Sequence, residues 1–121
     1  MGRYGHVTCA YKENLVVFGG QKGCNRDGKR QLLNDVSMFD TVRNEWEEVK
    51  MQGLLVRGRW GHCAVVVSNY LISYGGLYEQ GKALNELICF DILSGSWSAL
   101  PVLRQNAPPP LFYATMEAVF Y

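Results

Sequence analysis

A helix that crosses a bilayer needs about 20 consecutive apolar residues, and this chain has no such run. An excess of one charge is missing too. Lys and Arg number 12 against 11 Asp and Glu, a formal net charge of +1, so nothing resembles the basic footprint of a nucleic-acid or membrane-surface binder. Histidine occurs only at positions 6 and 62. The cysteines, at 9, 24, 63 and 89, never fall in the Cys-x-x-Cys spacing of zinc or redox sites. No stretch sustains a helical hydrophobic period, which argues against helix as the main element. A composition of 48% hydrophobic and 19% charged residues still places the chain among folded globular domains.

What the chain does contain, it contains twice. Arg3-Tyr4-Gly5-His6 returns as Arg59-Trp60-Gly61-His62, and each tetrad precedes an apolar run closed by a glycine pair, Gly19-Gly20 or Gly75-Gly76. A second pair of matching runs follows, Leu33–Asp40 against Leu84–Asp91, and then a tryptophan, Trp46 or Trp97. Tetrads and glycine pairs are 56 positions apart, the later runs and tryptophans 51. The difference of five falls between the glycine pair and the second run, so Gln21–Leu32 is a longer connection than Leu77–Ala83. Surface loops tolerate such a change best. Extending the shorter offset maps Arg59–His62 onto Pro110–Tyr113 and Tyr70 onto Tyr121, the start of a third copy without the signature residues.

Within each unit four short segments rich in Val, Phe and Leu are bounded by Gly, Asn and Asp, the signature of strands joined by turns. They are predicted at His6–Tyr11, Asn14–Gly20, Asp35–Val42 and Glu45–Lys50, and again at His62–Ser68, Tyr70–Gly76, Glu86–Leu93 and Ser96–Val102. Leu15–Phe18 and Ala64–Val67 are continuous apolar runs, which predicts burial on both faces. The glycine pairs permit positive φ and sharp turns at strand ends, and Ser94-Gly95 reads as a hairpin turn.

The Arg-x-Gly-His tetrads, the glycine pairs and an aromatic seven positions before each tryptophan (Phe39, Phe90) resemble the kelch repeat. That unit of about 50 residues forms one four-stranded blade of a β-propeller. The resemblance implies an all-β fold of kelch β-propeller blades, two four-stranded antiparallel blades plus one extra strand. Blade 1 is expected over about 3–52, blade 2 over about 59–103, and the start of a third blade over 110–121. Phenylalanine stands where tyrosine is commoner in the family.

Propellers close with about 4–8 blades, so two readings of the length compete: a piece of a longer propeller, or a ring assembled head to tail from several copies. The predicted strand at Tyr113–Tyr121 favours the piece, because in a ring of copies it would contend with His6–Tyr11 for one place. Open blade faces are in either case a route to self-association. The first repeat starts at Arg3, leaving no room for a signal peptide, and His6 replaces the Ser or Thr that a myristoylation signal opening on Met1-Gly2 requires. The expected location is cytoplasmic.

Candidate chemistry is sparse. Gly23–Lys29 and Gly76–Lys82 both fit the Gly-x4-Gly-Lys phosphate-loop spacing, but Arg30 and Ala83 replace the Ser or Thr that holds magnesium. Cys9 and Cys63 each exchange with valine between the units and read as small buried hydrophobes, whereas Cys24 lies in a loop. His6 and His62, repeated beside an arginine, read as hydrogen-bonding elements between blades rather than as catalytic or metal groups. Trp46, Trp97, Phe39 and Phe90 read as core residues between blades, and Glu45–Glu48 as a solvated outer strand. No catalytic residue, metal or cofactor is expected.

In a four-stranded antiparallel blade, the connection between strands two and three and the connection between blades emerge on the same side. Those are Gln21–Leu32, Leu77–Ala83, Met51–Gly58 and Leu103–Pro109, and loops on a rigid scaffold are where recognition concentrates. Lys22, Arg26, Lys29 and Arg30, with Arg57 on the adjoining connection, are the candidate partner-binding residues. They suit a protein or acidic peptide, held by charge-assisted bonds; no nucleic acid or membrane is expected. The function that the resemblance implies is a non-catalytic protein-protein interaction module. The alternative is a propeller enzyme similar to galactose oxidase, with its site at the channel mouth, and a purely structural repeat is a third reading.

Overall fold

A computed structural model describes residues 2–24, 26–101 and 108–119. All eight predicted strands form, trimmed at their ends. The first unit holds β1 (Val7–Tyr11), β2 (Asn14–Phe18), β3 (Gln21–Cys24), β4 (Arg30–Leu32), β5 (Val36–Asp40) and β6 (Glu45–Glu48). Then come β7 (Gln52–Gly53), β8 (Cys63–Val67), β9 (Tyr70–Tyr74), β10 (Leu87–Asp91) and β11 (Ser96–Ala99). One antiparallel sheet runs β1-β2-β5-β6, the second β7-β11-β10-β9-β8. Two details differ from the sequence reading. Gln21–Leu32 is no open loop but a hairpin of β3 on β4, and β7, from the linker, joins the outer edge of the second sheet parallel to β11.

Local chemistry repeats between the sheets. Asp40 Oδ1 accepts from the backbone N–H groups of Val42 and Arg43, and Asp91 Oδ1 from those of Leu93 and Ser94, shaping the β5–β6 and β10–β11 turns. Asn44 at φ 57° and Gly95 at φ 73° supply the left-handed step at these turns, open to asparagine and glycine at little cost.

The core lies between the two sheets. Val16, Phe18 and Val36 of the first meet Leu71, Ile88, Phe90 and Trp97 of the second, with Val56 of the linker and Ile92 completing the cluster. The runs predicted to be buried on both faces behave unequally. Val16, Val17 and Phe18 are buried, but Leu15 is exposed and Ala64–Val67 are half-buried, because among the described residues each sheet packs against a second sheet on one face only. Trp97 is 3% exposed as expected, whereas Trp46, expected in the core, is 64% exposed. By repeat position Trp46 faces away from the second sheet, with the Phe39 ring of its own sheet beside it.

The tetrad arginines fasten each unit internally. Arg3 makes a bidentate pair with Asp35 at 2.7 and 2.9 Å, which holds the Asp35 carboxyl below its ordinary pKa. Arg59 is wholly enclosed and reaches Glu86 at 2.5 Å. Its backbone N–H donates to the Leu33 carbonyl, and its own carbonyl accepts from Gly20 N–H. A buried cation stripped of its charged partner loses a hydrogen bond to a charged group, about 1.5–3 kcal/mol. Arg3, by contrast, is 21% exposed, and partial contact with water screens its pair. Glu86→Gln is therefore expected to lower the urea midpoint more than Asp35→Asn does; the reverse order would remove Arg59 from its structural role.

The third unit is offset by 52 rather than 51. Gly20 N–H donates to Arg59 O and Gly76 N–H to Leu111 O; Gly61 N–H donates to Gly5 O and Tyr113 N–H to Gly61 O. Leu111 thus stands where Arg59 stands, and Tyr113 where Gly61 does, with φ of 54° against 68°. The extra strand predicted at Tyr113–Tyr121 is not formed among the described residues 113–119. An innermost strand pairs with the second strand of its own blade, and among the described residues no strand follows β11 for it to join. Residues 120–121, Val102 and the 103–107 part of the predicted linker lie outside the described residues.

Candidate functional site

A groove of about 1240 Å³ opens where the connections converge. One wall is the β3–β4 hairpin, whose turn carries Gly28 at φ 76°. The facing wall is Tyr78–Lys82, wound into one 3-10 turn over Glu79–Gly81. The floor is the linker. Asn34 Nδ2 donates to Val56 O at 2.9 Å, and Gly58 lies so close to β4 that a Cβ there would come within 2.8 Å of the Leu32 carbonyl oxygen.

Two cations of this groove lie over aromatic rings. Arg30 lies 5.6 Å from the Trp60 ring centre, and Arg57 lies 5.0 Å from that of Tyr78. At these distances each guanidinium is attracted by the ring it faces, and both arginines line the groove. Lys29 and Lys82 also line it, and Glu79 is the sole acid among the lining residues. Trp60 is itself braced edge-to-face by Tyr113 at 5.7 Å.

Of the candidates read from the sequence, Lys29, Arg30 and Arg57 come together here, while Lys22 and Arg26 do not line the groove. Lys22 sits on β3, near enough to Asp35 to help lower its pKa, and Arg26 is exposed in the hairpin turn. Sequence reasoning missed three members. Trp60 had been absorbed into the repeat signature as its variable position, Tyr78 follows the second glycine pair, and Lys82 figured only in the phosphate-loop pattern. That pattern finds no support in its setting, since neither Gly23–Lys29 nor Gly76–Lys82 opens an α-helix as phosphate cradling requires.

The histidine seam lies apart from the groove. His62 is buried, and its Nε2 stands 3.0 Å from the Phe18 carbonyl of the preceding unit. A carbonyl only accepts, so Nε2 donates. Burial lowers its pKa from 6.5 to about 4; the bond to Phe18 opposes this, and the charges of Arg59 and His6 assist it. His6, at the same repeat position, is exposed. Burial raises the thiol pKa of Cys9, Cys63 and Cys89, and Cys24 is exposed. Among the described residues no three His, Cys, Asp or Glu side chains converge as metal ligands.

Residues 1–120 match the family described as the KLHDC2/KLHL20/DRC7 Kelch-repeats domain. The chain belongs to this kelch-repeat family. Host cell factor 1 of Homo sapiens is 29% identical over 109 residues, covering 89% of this chain and 5% of that protein. The F-box/kelch-repeat protein At1g51550 of Arabidopsis thaliana is 32% identical over 119 residues, 89% of this chain and 23% of that protein. Acyl-CoA-binding domain-containing protein 4 of Arabidopsis thaliana is 31% identical over 111 residues, 91% of this chain and 16% of that protein. This kelch chain therefore spans under a quarter of the length of these relatives. A solved structure described as "Structure of YjhT" superposes with a TM-score of 0.70 at 20% identity, covering 87% of this chain and 40% of that one; at that identity the likeness shows the fold alone. The fold is that of kelch propeller blades, and kelch-repeat domains typically mediate protein-protein interaction.

Proposed function

We propose that the chain is a non-catalytic interaction module, acting in the cytoplasm, that binds an acidic segment of a partner protein in the groove between its two blades. The observation that carries this reading is the pair of ring-backed guanidiniums, Arg30 on Trp60 and Arg57 on Tyr78, lining one groove together with Lys29 and Lys82. Stacked guanidiniums are already ordered, so little side-chain entropy is lost when a carboxylate arrives. The groove's size and openness suit an extended peptide, since small-ligand pockets are typically about 300–1,000 Å³ and more enclosed. Residues 3–52 and 59–103 are proposed as two blades, with 110–121 opening a third.

The test is the affinity of an Asp/Glu-rich peptide, measured by fluorescence anisotropy. Each charge-assisted bond contributes about 1.5–3 kcal/mol, so Arg30→Glu with Arg57→Glu is expected to weaken binding by about a hundredfold or more. Arg26→Glu, outside the groove, is expected to change affinity less than about twofold, and rising salt to weaken the wild type. Equal losses from Arg26→Glu and from the groove pair, or none from either, would reject this site.

A further inference from the structure

We infer that Trp60, Tyr113 and Phe112 form an apolar ledge at the rim of the groove, which takes a large aliphatic or aromatic side chain of the segment whose carboxylates the groove holds. The ligand is then an acidic run with a bulky apolar residue directly beside it. This inference rests on the groove reading above and adds a second subsite to it.

The repeat builds the ledge. Tyr4 and Trp60 stand at the variable position of the two tetrads, and each is fixed by the same pair of backbone bonds, to Gln21 and to Leu77 respectively. With Leu111 in the place of Arg59 and Tyr113 in that of Gly61, the third member of this series is Phe112. The third unit lacks the arginine, glycine and histidine of the tetrad, Leu111, Tyr113 and Ala114 standing there instead. Its variable position is aromatic all the same. Tyr4 is 49% and Phe112 54% exposed, and Trp60, with a unit on either side of it, still keeps part of its surface in water.

Tyr113 joins two of these rings into one surface. It adopts φ 54° where the other two units have glycine, at 72° and 68°, a conformation that a Cβ disfavours. Backbone held against its preference concentrates at functional sites. The Tyr113 ring lies over Gly61, edge-to-face with Trp60 at 5.7 Å and with Phe112 at 6.2 Å. It remains 62% exposed, so packing within the chain does not account for a ring at this place.

The neighbouring charges say what covers the ledge. Trp60 belongs to both subsites, because it lines the groove and faces Arg30 at 5.6 Å. A purely apolar segment would draw water from Arg30 and Arg57 with no carboxylate to offer in exchange. A purely acidic one would leave the exposed rings in water. A segment with an apolar residue next to its acids answers both.

The probes are three fluorescein-labelled peptides with one Asp/Glu run, flanked by glycine at both ends, by leucine at the amino end or by leucine at the carboxy end. In fluorescence anisotropy one leucine peptide is expected to bind about tenfold more tightly than the glycine peptide, the effect of burying one such side chain. That gain is expected to persist at high salt, which screens the acidic part only. Phe112→Ser with Tyr113→Gly is expected to abolish the gain while the glycine peptide keeps its affinity within about twofold. The second change restores the residue that Gly5 and Gly61 supply, so an unchanged urea midpoint is expected. No gain from either leucine, with the run still held through Arg30 and Arg57, would overturn the ledge and leave the groove reading standing. A gain that survives in the double variant would also overturn it, placing the side chain elsewhere, as on Leu54 and Leu55 of the linker, which are exposed. Failure of the parent to bind any of the three would remove both readings.

Discussion

Trp97→Ala is expected to destabilise the chain by about 3–5 kcal/mol, the usual cost of truncating a buried large aromatic, whereas Trp46→Ala costs less than about 1 kcal/mol. The two occupy the same place in the repeat. Trp97 is 3% exposed and touches Phe18 of one sheet and Phe90 of the other, so its removal opens a cavity that neither sheet can close alone. Trp46 lies beside Phe39 of its own sheet and is largely in water. Urea denaturation of both variants, at concentrations where light scattering shows a monomer, makes the comparison. Equal losses would mean that Trp46 is covered in solution.

Acidification from pH 7 to pH 4 is expected to remove roughly 3 kcal/mol of folding stability through His62 alone. The folded pKa is about 4 against an ordinary 6.5. Between these values the unfolded chain binds a proton that the folded chain refuses, so stability is full above pH 6.5 and falls as the pH drops towards 4. Burial is the main cause. The Phe18 carbonyl fixes the proton on Nε2, and Nδ1 is buried with no partner among the described residues, so a second proton would place a charge in a buried seam. Asp35 titrates in the same direction but lower, as its pKa is depressed by Arg3. His62→Gln is expected to flatten the dependence of the urea midpoint on pH between 6.5 and 4, and NMR titration of the His62 ring reads its pKa directly. A ring titrating near 6.5 would place His62 in solvent.

The fold was legible because the chain states it twice, and the two statements check each other. His6 aligned with His62 and Phe39 with Phe90 determine the strands between them without any knowledge of the tertiary contacts. The third unit escaped the same logic. Its tetrad residues are absent, and the one-residue shift is visible only in the backbone, where Tyr113 adopts the left-handed φ that Gly5 and Gly61 adopt. The exposure of Trp46 was hidden for a related reason, since a repeat assigns each position the role it has when both neighbours are present. The groove was half legible. Its cations stand out in a nearly neutral chain, but Trp60 and Tyr78, which orient them, come from outside the basic loop and meet it only through packing.

The parallel strand β7 has a consequence for the order of events at the ribosome. Gln52 and Gly53 are synthesised well before Ser96 and Trp97, their partners in the sheet. The first blade leaves the exit tunnel trailing a strand that has nothing yet to pair with, and the second blade is completed by closing onto it. The last strand of the second sheet therefore finds its parallel neighbour already made when it is synthesised.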